Sequence, residues 1–97
     1  MPAYVLALVN VNDPVKYQEY GKRAGPALAQ HGGRFLARGG AKTVVEGDIP
    51  FARVVISEFP TVEQAKAFYH SVDYQDARSH RLGAADFNMV IVEGFLP

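Results

Sequence analysis

No cysteine occurs among the 97 residues, which excludes disulfides and thiolate chemistry and fits a reducing cytoplasm, the expected compartment. Net charge is missing as well. Ten basic and ten acidic side chains cancel, so the chain has no electrostatic footprint for nucleic acid or for an anionic membrane surface. The apolar run from Ala3 to Val9 lacks a basic leader and falls far short of the roughly 20 residues that a membrane span needs. No HExxH, CxxC, P-loop, GxGxxG or GxSxG pattern is present, which removes the common signatures of zinc, nucleotide and nucleophile chemistry. The three histidines, His31, His70 and His80, fall on different segments, and Asp76 with His80 offers only two ligands at i, i+4 spacing. Neither a metal nor any other cofactor is expected.

What remains is the composition of an ordinary globular protein, 48% hydrophobic and 21% charged. A chain of this length forms one domain, residues 1–97, and removes roughly 60–65% of its unfolded surface from water. Tyr4 to Val11 reads as a strand with apolar residues on both faces. Asp13-Pro14 then opens a helix, with Asp13 as N-cap and Pro14 at the first helical position. Tyr17, Tyr20, Ala24, Leu28 and His31 follow at helical spacing.

Two glycine pairs frame the next segment. Gly32-Gly33 follows the helical pattern as its C-terminal cap, and Gly39-Gly40 interrupts a strand, as a bulge or a close backbone approach does. Arg34 to Glu46 reads as one long bent strand, Gly47 to Pro50 as a hairpin loop, and Arg53 to Phe59 as the returning strand. Thr61-Val62-Glu63-Gln64 is a capping box ahead of the stripe Ala65, Phe68, Tyr69 and Val72. A short helical segment follows at about Asp73 to Leu82, and Phe87 to Phe95 forms the last strand.

The order β-α-β-β-α-β is the α+β, ferredoxin-like split βαβ pattern with a four-stranded antiparallel sheet. The two helices can cover only one face of such a sheet. The uncovered face would expose several hundred Å² of apolar surface, on the order of 10 kcal/mol at about 25 cal/mol per Å². A second copy of the chain is the simplest cover, so a homodimer is expected.

His31-Gly32-Gly33-Arg34-Phe35-Leu36, Arg38-Gly39-Gly40, Glu58-Phe59-Pro60, Tyr69-His70-Ser71, Arg81-Leu82-Gly83-Ala84 and Val92-Glu93-Gly94 together resemble the bacterial domain-of-unknown-function family 1330. The resemblance spans nearly the whole chain. It implies the dimeric α+β-barrel superfamily, in which two sheets pack face to face. That superfamily includes cofactor-independent monooxygenases, haem enzymes and stress-response proteins, and the family itself carries no activity to transfer.

Six residues are candidates for a ligand pocket: Tyr20, Arg38, Glu58, Tyr69, Tyr74 and Arg81. Arg38 and Glu58 fall on expected strands among apolar neighbours, where a lone charge is costly unless paired. Glu58 is either an acid–base group or half of a structural ion pair with Arg38, Arg53 or Arg81. Arg38 or Arg81 is the expected partner, and counting outward from the Gly47–Pro50 loop brings Arg38 toward it. The tyrosines either line a pocket or serve as core rings with one solvated tip. Arg78, His80 and Arg81 form a small basic group suited to a carboxylate or phosphate. His31 suits the negative end of a helix better than a role as base. With these residues, the resemblance implies a small-molecule-binding or cofactor-free enzyme-like protein, and analogy with the superfamily implies a small organic acid or aromatic compound as ligand. The alternative is a non-catalytic homodimeric structural or stress-response module. Convergence of the six on one cavity, or their dispersal, separates the two.

Overall fold

Burial along the first strand alternates. In β1 (Ala3–Val11), Ala3, Val5, Ala7 and Val9 are buried, whereas Tyr4, Leu6 and Leu8 between them are only half-buried. Successive strand residues point to opposite faces, so one face is packed and the other open. The computed structural model describes residues 1–96 and continues with α1 (Pro14–Gln30), β2 (Arg34–Arg38), β3 (Arg53–Phe59), α2 (Val62–His70), α3 (Val72–Ser79) and β4 (Ala85–Glu93). The strands pair antiparallel in the order β2-β3-β1-β4, the ferredoxin-like arrangement expected from the sequence.

Local chemistry sets the helix ends. The Asp13 carboxylate accepts from the Lys16 N–H at 3.2 Å, and Pro14 begins α1, which runs through Pro26 to Gln30. At the other end, Gly33 N–H donates to the Leu28 carbonyl and Gly32 N–H to that of Ala29, a Schellman closure made possible by Gly32 at φ 86°. Thr61 caps α2 by accepting from Gln64 N–H at 3.1 Å. Ser71 closes α2 and opens α3, donating to the Phe68 carbonyl and accepting from Tyr74 N–H.

All three helices lie on the face carrying Val5, Ser57 and Phe59. Phe59, Phe68 and Tyr74 form the centre of the core, with ring centroids 5.1 and 4.6 Å apart along that chain. The helix α1 packs chiefly along α3. The opposite face is bare: Leu6 stands between Ile56 and Val90, and Tyr4 between Glu58 and Val92. Val90 and Val92 are both largely exposed there.

Two expectations are corrected. The long bent strand ends at Arg38, and residues 39–52 have no regular secondary structure. Polar residues and the glycines of this stretch give no ladder of alternating apolar side chains to pair with β3. Its return end is held instead by Asn10, which donates to the Pro50 carbonyl at 2.7 Å and accepts from Ala52 N–H at 2.8 Å. Glu58 pairs with neither Arg38 nor Arg81. It stands directly across from Arg34, whose Nη2 and Nε lie 2.8 and 2.9 Å from its Oε1. A bulge at Leu36 shifts the register so that Arg38 faces Val55 and joins the helix-covered face.

Candidate functional site

Because α1 leans on α3, it stands off the sheet and leaves a cavity of about 60 Å³ beneath it. Tyr17, Tyr20 and Ala24 form its roof, and Val5, Ser57 and Met89 belong to its floor. The sequence places these residues there through two periodicities. Odd-numbered positions of β1, β3 and β4 face the helices, and Tyr17, Tyr20 and Ala24 repeat on one side of α1.

Arg38 and Arg53 stand at the mouth. Together with Tyr17 and Gly21 they line both the cavity and a wider surface cleft of about 710 Å³, so these four residues separate the interior from solvent. The Arg38 guanidinium lies 4.2 Å from the Phe35 ring centroid and donates to the Gly21 carbonyl at 3.3 Å. The Arg53 guanidinium packs over Gly39, where φ is 72° and a Cβ would collide with it. The Gly39-Gly40 pair thus marks a close approach, of a side chain to backbone. No carboxylate among the described residues comes within 4.0 Å of Arg38 or Arg53, and no acceptor reaches the Arg53 Nε.

Behind the cavity lies a chain of polar groups. The Tyr20 and Tyr74 hydroxyls are 3.0 Å apart, and Arg81 Nη2 donates to the Tyr74 hydroxyl at 3.4 Å. The Arg81 guanidinium lies 3.7 Å from the Phe87 ring centroid and 5.3 Å from that of Tyr20. Burial pushes the Tyr20 hydroxyl far above the ordinary tyrosine value, the neighbouring Tyr74 adds to this, and the Arg81 charge opposes it. Tyr20 is therefore a neutral hydroxyl at physiological pH. Burial raises Tyr17 too, against the pull of the Arg53 guanidinium.

Of the six sequence candidates, Tyr20, Tyr74 and Arg81 come together in this chain, and Arg38 joins Tyr20 at the cavity. Tyr69 packs on Tyr74 with centroids 5.4 Å apart and lines a neighbouring cleft. Glu58 is separated from all of them by the sheet. Sequence reasoning took Arg53 only as a possible partner of Glu58. Its true place was legible in the phase of β3, since Arg53 shares the parity of Ser57 and Phe59, the two buried residues of the strand.

Residues 2–95 match the family model described as a domain of unknown function (DUF1330), and the chain belongs to that family. No curated protein matches it. Among solved structures, a Rhodopseudomonas palustris protein of unknown function is similar, with a TM-score of 0.78 and 24% identity over 99% of this chain and 84% of that one. SnoaB, a cofactor-independent oxygenase from Streptomyces nogalater, gives a TM-score of 0.65 at 6% identity over 99% and 95% of the two chains. A dimeric ferredoxin-like protein of unknown function from Thermobifida fusca gives 0.59 at 16% identity over 97% and 92%. At these identities the likeness is one of fold, the ferredoxin-like α+β arrangement.

Proposed function

We propose that this DUF1330 protein binds a small organic acid in the cavity beneath α1, with the carboxylate at Arg38 and Arg53, and that it does so as a homodimer joined through the bare sheet face. The observation that carries the reading is a pair of guanidiniums at the mouth of an apolar cavity, without carboxylate partners among the described residues. A half-buried arginine whose Nε has no acceptor is a costly arrangement for a protein to hold unless an anion completes it. Size favours an aliphatic acid. A cavity of about 150 Å³ is known to admit benzene, whereas this one offers about 60 Å³, room for a few carbons with the carboxylate left in the mouth.

The lining offers cations and neutral hydroxyls but neither imidazole nor carboxylate. It suits binding and orientation of an acid better than proton abstraction by the protein, so a binding role is favoured over a cofactor-free enzyme. The dimer is supported by the row of Leu6, Ile56 and Val90 on the bare face, and by the fold's occurrence in a protein described as dimeric.

Thermal unfolding in the presence of butyrate tests the binding reading, with butyramide as the neutral control. A ligand at 100 times its Kd stabilises the folded state by about 2.7 kcal/mol. Butyrate is expected to raise the Tm and butyramide to leave it unchanged, and the double variant Arg38→Gln, Arg53→Gln is expected to lose the response. Equal responses to the two compounds, or none to either, would contradict the proposal.

A further inference from the structure

We propose a second anion site, in the cleft between α3 and the edge strand β4, where Arg78 and Arg81 receive the carboxylate of a small acid with an aromatic or similarly bulky apolar body. The cleft measures about 280 Å³ and is lined by Tyr69, Arg78, Arg81, Phe87, Met89 and Ile91. It has two cations and four largely apolar walls.

Arg81 is 7% exposed, so its charge is almost wholly removed from water. Among the described residues its side chain makes one hydrogen bond, the 3.4 Å contact to the Tyr74 hydroxyl. Among the described residues no acceptor reaches the Nε of Arg81 or of Arg78, and no carboxylate lies within 4.0 Å of either. Two guanidiniums thus stand beside one cleft, and the described residues supply neither with a counter-charge. Arg81 is fixed in place by the Phe87 ring beneath it, which leaves a planar fork of donors oriented in advance for a carboxylate.

The walls choose among anions. Tyr69, Phe87, Met89 and Ile91 give a bare phosphate nothing to replace the water it sheds, whereas they bury an apolar body favourably. The cleft exceeds the roughly 150 Å³ that accommodates a benzene ring, unlike the cavity beneath α1. The two sites share Phe87 and Met89 as walls but no cation. This inference therefore stands whether or not Arg38 and Arg53 bind an acid.

Arginine Nε–Hε signals in ¹H–¹⁵N spectra read the site directly. Benzoate is expected to shift the Arg78 and Arg81 signals saturably, and benzamide to leave them in place. Arg78→Gln, at a half-exposed position, should weaken benzoate binding about tenfold or more, while Arg38→Gln, Arg53→Gln should leave it unchanged. Absence of a saturable shift at Arg78 and Arg81 would overturn the proposal. So would a response to benzamide equal to that of benzoate, or inorganic phosphate binding more tightly than benzoate.

Discussion

Replacing Arg81 by methionine should make the protein more stable. The guanidinium is 7% exposed and, among the described residues, has no carboxylate partner and one long hydrogen bond to a neutral hydroxyl. Exchanging buried charged groups for apolar residues of similar volume is neutral to stabilising, by about 1–4 kcal/mol, even where the charges are paired. Against that stands the contact with the Phe87 ring at 3.7 Å, worth about 0.5–2 kcal/mol as a cation–π interaction. The Tyr20–Tyr74 hydrogen bond at 3.0 Å survives the change. A net gain of about 1–2 kcal/mol follows, and for a domain of this size that raises the Tm by roughly 4–15 °C. Urea and thermal unfolding at pH 7 measure it. Arg81→Lys separates charge from stacking: it keeps the buried charge, loses the planar face over Phe87, and should destabilise by about 1 kcal/mol. A loss of more than about 1 kcal/mol in Arg81→Met would mean that Arg81 has a protein counter-charge, and would refute the reasoning.

Three further outcomes follow from the packing. Gly33→Ala places a Cβ 2.6 Å from the Phe59 ring and 2.8 Å from a Leu28 methyl, and urea unfolding should register a loss of about 1–3 kcal/mol from overpacking. Val90→Asp puts a charge at the centre of the bare face, beside Leu6. Sedimentation should then give 10.6 kDa where the parent gives twice that, with the circular dichroism unchanged because Val90 is 52% exposed in the single chain. Burial raises the Tyr20 hydroxyl above its ordinary value of 10.0, so its contribution to stability is complete below that pH and declines as pH rises above it. Absorbance at alkaline pH should show Tyr20 forming phenolate only as the fold is lost, and Tyr20→Phe should reduce the steepness of alkaline unfolding.

The layout of the fold was legible because each element announced itself locally. Asp13-Pro14, Gly32-Gly33 and Thr61 to Gln64 marked helix ends through backbone donors and acceptors that must be satisfied near their own positions. The region around Glu58 was misread because its partner depends on register, a property of two strands at once. One bulged residue, Leu36, and a loop far longer than four residues moved Arg38 away from Glu58 and put Arg34 in its place. The candidate site was half legible for a related reason. Tyr20, Tyr74 and Arg81 meet through helix packing, and of the three only Tyr20 lies on an apolar stripe legible in the sequence. Arg53 becomes part of the mouth only once β3 is phased against Phe59 and Gly39 turns beneath it.

A crystal structure grown with butyrate shows whether the two guanidiniums at the cavity mouth hold an acid. One carboxylate is expected between the Arg38 and Arg53 guanidiniums, its alkyl chain directed under α1 toward Ser57 and Met89. A cavity holding only water, with both arginines bound to carboxylates of a second copy of the chain, would contradict it.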